Sequence, residues 1–202
     1  MQRRNNWKLP VFQHNSTSSA YFVLMTFVEV MMRQIAPSFR FIKELYRTSP
    51  DAIARISGNT DYPSLIGTVS FYQSPYVGLL IQAEVWGLPS VSDETSSDNI
   101  DKNGSFFFAM HIHQDGNCTP PFDKTGEHYN PGDLPHPLHA GDLVPLLGNH
   151  GYAWCVFYDE RLSPAEIIGK SVIIHRNTDD FHTQPSGNSG EKIGCGTIMW
   201  MN

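Results

Sequence analysis

Residues 51–200 are built of short runs in which apolar and polar residues alternate, each run broken by turn residues. AIARI (52–56), GTVSFY (67–72), GLLIQAEVWGL (78–88), SFFFAMHIH (105–113), GYAWCVFY (151–158), GKSVIIH (169–175) and KIGCGTIMW (192–200) each read as a strand. Period-two alternation gives a segment one apolar face, which must be buried against other such faces around a shared core. The turns draw on 16 glycines and 14 prolines. The expected fold is therefore all-β, an antiparallel Greek-key β-sandwich or barrel of about eight strands. Two long aperiodic stretches, 114–150 and 176–191, carry little secondary-structure signal. Loops of that length inside a compact domain commonly serve function.

Residues 1–50 read as a separate extension to a 51–202 domain. Residues 1–19 are polar and aperiodic, and AYFVLMTFVEVMM (20–32) is apolar apart from Glu29. SFRFIKELYR (38–47) puts Phe39, Ile42, Leu45 and Tyr46 on one face, so a short helix is expected there. Arg3, Arg4 and Lys8 could open a secretory leader, but the apolar run leads into Arg33-Gln34 and not into a small-x-small cleavage site. Residues 1–30 are accordingly expected to be an upstream extension, and a cytoplasmic location is favoured over a secreted one. No apolar run reaches the roughly 18 residues of a spanning helix, so no stable membrane insertion is expected. The chain has 14 Lys and Arg against 20 Asp and Glu, a formal net charge of −6. That balance argues against nucleic acid as a partner.

The chemistry lies with six of the nine histidines. His111 and His113 stand two apart at the end of a strand, so both imidazoles leave one face. His175 ends another strand and can complete a site with them. His128, His136, His139 and Asp142 form a complete tetrahedral set for Zn²⁺, which accepts nitrogen and oxygen ligands. Asp179, four residues beyond His175, could hold the outward nitrogens of ligating imidazoles. Cys155 reads as a small core hydrophobe, and His14, His150 and His182 as solvated side chains. Three cysteines allow one bridge with one thiol left over.

The motifs FFAMHIHQDGNC, GEHYNP, HAGDL, SVIIHRNTDD and SGNSGEKIGCG, in that order, resemble those of the copper–zinc superoxide dismutases over roughly residues 51–200. The resemblance implies copper held by His111, His113, His128 and His175, and zinc held by His128, His136, His139 and Asp142. His128 would then bridge the two metals, with Asp179 as the carboxylate linking their ligands. It also implies a disulfide between Cys118 and Cys195, superoxide as substrate, dismutation to dioxygen and hydrogen peroxide, and allows a homodimer. In the family mechanism the bridging imidazole, here His128, carries a proton between the half-reactions.

Three departures from the family pattern stand out. Lys192 occupies the place, three residues before Cys195, where family members usually carry an arginine that guides the anion. Lysine keeps the charge but lacks the planar donor fork. The loop from His175 to Cys195 is shorter than usual, and only two residues separate His136 from His139, which leaves the zinc site open to strain. These departures keep an alternative in view, a non-catalytic copper-binding or copper-handling module on the same fold.

Overall fold

A computed structural model describes residues 49–75, 77–90 and 107–201. The helix expected at 38–47, the apolar segment 20–32 and the first two residues of the 105–113 run lie outside these described residues.

The alternating segments form strands β1 (Ala52–Gly58), β2 (Ile66–Gln73), β3 (Leu79–Trp86), β4 (Phe107–Phe108), β5 (Met110–His113), β6 (Leu146–Leu147), β7 (Tyr152–Asp159), β8 (Ser171–His175) and β9 (Lys192–Trp200). Seven of them make one antiparallel sheet in the order β5-β8-β9-β1-β2-β3-β7, and β4 pairs with β6. The result is an all-β Greek-key barrel. The described helical structure amounts to a 3-10 turn at Asp123–Thr125 and one helical turn, α1 (Pro164–Ile167). α1 is opened by Pro164 and by a capping box between Ser163 and Glu166.

Inward-facing Ile56, Val69, Phe71, Ile81, Val85, Met110, Ile112, Val172, Ile174 and Ile198 fill the barrel. Burying each such side chain is worth roughly 1.5–3 kcal/mol. Gly194 and Gly196 leave room inside for Leu65 and Ile56, whose atoms would sit 2.8 Å from an added Cβ. The residue between those glycines, Cys195, faces the other way and packs with Ile173 and Phe122 in a small cluster outside the barrel. There it is bonded to Cys118, with 5.5 Å between their Cα atoms. The bridge fastens the start of the 114–150 loop to β9. Cys155 is free and half-buried against the core.

Two features depart from the strand expectations. The run through 113 is not one strand, because Ala109 leaves the ladder: its N–H donates to Asn177 O at 2.8 Å and its carbonyl accepts from His175 N at 2.9 Å. β4 is thereby free to pair with β6, while β5 pairs with β8. β6 itself lies in the supposedly aperiodic stretch, and two residues are too few to show a period.

Much of that stretch is sewn to the free edge of β5. Tyr129 N donates to Ile112 O at 2.7 Å, Ile112 N to Gly141 O at 2.8 Å, and Gln114 N to Glu127 O at 3.0 Å. Isolated bridges pair His113 with His128 and His111 with Asp142. Close approach requires glycine at 141, since a Cβ there would lie 2.4 Å from Ile112 O and 2.9 Å from Tyr129 N. Gly141→Ala should therefore push the loop off β5 and cost about 1–3 kcal/mol. Thermal unfolding of the metal-free protein should show a Tm lower by several degrees; an unchanged Tm would refute the close approach.

Candidate metal centre

Strand alternation does the first placement. On β5 the pattern Met110-His111-Ile112-His113 sends Met110 and Ile112 into the core and both histidines to the outer face. In the β5–β8 register His111 stands opposite Ile173, so His175, two residues further along β8, emerges on the same face. The two loops cover that face, leaving His111, His113, His128, His136, His139, His175, Asp142 and Asp179 buried.

Buried imidazoles need partners, and the outer nitrogens of four of them have one. His113 Nδ1 donates to Gly126 O at 2.8 Å and His175 Nδ1 to Gly190 O at 3.2 Å. His111 Nε2 and His136 Nε2 donate to the two oxygens of Asp179, each at 2.9 Å. One carboxylate thus orients a ring in each cluster. Those bonds fix the tautomers, so the opposite nitrogen of each ring carries a bare lone pair.

The bare nitrogens converge. His113 Nε2 and His175 Nε2 lie 3.4 Å apart, lone pair to lone pair, a contact that a shared cation would stabilise. Among the described residues, His111 Nδ1 and His128 Nε2 have no hydrogen-bond partner although both are buried. His136 Nδ1 and His139 Nδ1 are likewise without a hydrogen bond, and lie 3.0 and 3.3 Å from Asp142 Oδ2 outside hydrogen-bonding geometry. His128 Nδ1 sits 2.8 Å from Asp142 Oδ1. Two groups of four donors result, His111, His113, His128 and His175, and His128, His136, His139 and Asp142. Within each group the donor atoms all lie within 4.8 Å of one another. His128 belongs to both, one nitrogen turned to each. The short His136–His139 spacing still brings those two rings to 5.5 Å between centroids.

The electrostatics favour the ligating protonation states. Burial pushes the His111 pKa down to about 4 against the opposing pull of Asp179. Burial, reinforced by His175 and His128, lowers His113 strongly, and burial with His111 does the same for His175. Burial alone would raise Asp179, but hydrogen bonds from His111, the Phe181 N–H and His136 bring it down to about 2. Burial is likewise outweighed at Asp142, by the His128 bond and the neighbouring imidazoles. Neutral imidazoles and ionised carboxylates are the forms a metal binds. A four-nitrogen set without thiolate suits copper, and a three-nitrogen, one-carboxylate set suits zinc.

Through its charge, Lys192 helps to lower the pKa values of His113 and His175. Its Nζ donates to Thr125 Oγ1 at 2.9 Å and to Gly126 O at 3.2 Å, the same carbonyl that holds His113. Burial lowers its pKa, partly offset by Asp123. His150 and His182 are exposed, as expected for solvated side chains.

Sequence reasoning passed over Gly187. It lies at φ +64, and a Cβ there would fall 1.9 Å from Asp179 Oδ1 and 2.7 Å from His136 Nε2. In SGNSGE it reads as ordinary turn chemistry, and nothing local distinguishes it.

A family model described as copper/zinc superoxide dismutase matches residues 65–198. A superoxide dismutase [Cu-Zn] of Deinococcus radiodurans is 33% identical over 158 residues, covering 67% of this chain and 78% of its own length. An extracellular superoxide dismutase [Cu-Zn] of Mus musculus is 28% identical over 167 residues, covering 76% of this chain but only 62% of its own length. Among solved structures, a double mutant of a SOD-like protein from Bacillus subtilis superposes with a TM-score of 0.60 at 27% identity. That match covers 73% of this chain and 96% of the other.

The Asp179 bridge generates a direct expectation. Asp179→Asn replaces one of two acceptor oxygens, and Gly187→Ala drives a methyl group into the carboxylate. Each variant should hold copper and zinc about 10–100-fold more weakly, as is typical when such outer partners are lost. Competition with chelators, read by elemental analysis, checks this; parent-like retention in both would remove Asp179 from the centre.

Proposed function

The chain belongs to the copper/zinc superoxide dismutase family, and on that premise we propose that it dismutes superoxide at a copper centre bridged through His128 to a structural zinc. The observation carrying this reading is the pair of four-donor groups, with inward-facing nitrogens that share one imidazole. His111, His113, His128 and His175 would hold copper; His128, His136, His139 and Asp142 would hold zinc. When bound, copper supplies the one-electron chemistry by which two superoxide anions and two protons become dioxygen and hydrogen peroxide, while zinc fixes geometry without redox change.

The chain's own residues do the rest. His128 Nε2, buried without a hydrogen bond, is the atom that can hold a proton within the site. Asp179 keeps His111 and His136 in the tautomers that leave Nδ1 bare. Lys192, whose charge is felt at His113 and His175 and whose ammonium shares the Gly126 carbonyl with His113, would draw an anion towards them. On a chain of net charge −6, such a local positive field must outweigh the general repulsion of an anionic substrate.

The alternative is a copper-binding module without turnover. Its support is the tether of Lys192: two hydrogen bonds to Thr125 and Gly126 occupy donors that an arginine fork would leave in part for the anion.

Stopped-flow measurement of superoxide decay on copper- and zinc-loaded protein separates the two. The enzyme reading expects cyanide-sensitive removal, slowed several-fold in Lys192→Ala with a flattened dependence on ionic strength, and restored in Lys192→Arg. Tight copper binding with no superoxide removal would establish the module instead. An Ala variant as fast as the parent would remove Lys192 from the mechanism.

A further inference from the structure

One cation in the described structure is committed to the proposed zinc group without touching any of its donor atoms. Arg161 lies in the connection between β7 and α1. Its Nε and Nη2 grip the two oxygens of Asp159 at 3.1 and 2.6 Å, and its main-chain N–H donates to Asp159 Oδ1 at 2.8 Å. Asp159 is buried at the end of β7, so the guanidinium stands on a rigid base. The other side of the fork faces the loop. Nη1 donates to the His139 carbonyl at 2.8 Å and Nη2 to the Asp142 carbonyl at 2.7 Å.

Those carbonyls open and close the tight turn carrying two of the four proposed zinc donors. The turn has its own bonds, Asp142 N to His139 O at 3.1 Å and His139 N to Asp142 Oδ2 at 3.0 Å. Neither fixes the turn relative to the barrel. Bonds to other segments do: on the β5 side Ile112 N donates to Gly141 O and Leu143 N to Met110 O, with Gly141 N donating to Tyr129 O beside them, and on the β7 side Arg161 holds both ends of the turn. A turn held at one edge only can pivot about that edge. Held at both, it has one orientation. A planar guanidinium suits the task because its donors leave in fixed, diverging directions, whereas an ammonium offers a single point of charge.

We propose that Arg161 is a positioning residue for the zinc half of the centre, clamping the His139–Asp142 turn to β7 so that His139 Nδ1 and the Asp142 carboxylate are presented together. The proposal rests on assigning zinc to His128, His136, His139 and Asp142. It reaches past that assignment to a residue on a different element, separated from the turn by 19 residues or more. Three of the four copper donors stand apart from the clamp, because His111, His113 and His175 are fixed by Asp179, Gly126 and Gly190, and only His128 meets the clamped turn, through Asp142.

The test compares full-length parent, Arg161→Gln and Arg161→Lys. Zn²⁺ affinity is measured by chelator competition, Cu²⁺ affinity in parallel, and Co²⁺ absorption reports the geometry of the second group. The Gln variant should bind zinc about 10–100-fold more weakly and lose the sharp tetrahedral Co²⁺ bands, with copper affinity within about threefold of the parent's. The Lys variant should recover part of the affinity and little of the band shape. Should the Gln variant not fold, the Lys variant alone carries the comparison. Parent-like zinc affinity and Co²⁺ spectra in the variants, even with a lowered Tm, would overturn the clamp while leaving the zinc assignment intact. A parent that binds neither Zn²⁺ nor Co²⁺ at this group would overturn the assignment and the clamp together.

Discussion

One buried carboxylate sets the constraint to which the rest of the centre answers. Asp179 is ionised, buried and shared by His111 and His136 at equal distance. A buried charge is tolerated only when its lone pairs are met. Here the donors include two imidazole N–H groups and the Phe181 amide. Satisfying the carboxylate decides which nitrogen of each ring is protonated, and therefore which nitrogen is left bare. His111 and His136 come from different donor groups, so one anion sets the tautomer in both. The close approach that permits this depends on Gly187, where even a methyl group would collide with the carboxylate.

The same economy runs through the loops. Gly126 O accepts from both His113 and Lys192, tying the lysine to the ring beside it. Asn59, buried at the end of β1, donates to Glu191 Oε1 and Lys192 O, which holds the Lys192 backbone to the β1–β2 turn. The Cys118–Cys195 bridge and the Phe122–Ile173 contact secure the base of the long loop. Loops without regular secondary structure become rigid here because their ends and their polar groups are each fastened to strands. A site of this kind needs such rigidity, since donor atoms must be held close to the binding geometry before a metal arrives.

The parts legible in the sequence share a physical property: they are local. Strand alternation at 52–56, 67–72 and 192–200 concerns neighbours two apart, and His111 and His113 inherit their common face from it. The His128–Asp142 run was legible because ligand-forming residues are uncommon at such density. The breaks and braces were not. Ala109 ends one strand and begins another because of Asn177 and His175, more than sixty positions along the chain. Arg161 reads as a surface residue two places beyond an aspartate, and Gly187 as one more turn glycine. Their roles exist only once distant segments are brought together, so no periodicity or motif within a short window carries them.

Register joins the core to the centre. On β5 the same four residues supply Met110 and Ile112 to the barrel interior and His111 and His113 to the outer face. A slip of one residue would drive two imidazoles into the core and expose two apolar side chains. Each buried imidazole would then lack the carbonyl or carboxylate it now meets, at a cost of several kcal/mol for the pair. The hydrophobic core therefore selects the metal face as strongly as the loops do. Ligand placement and barrel stability are one choice made at β5, with β8 as its partner: Val172 and Ile174 face in, and His175 faces out beside His113.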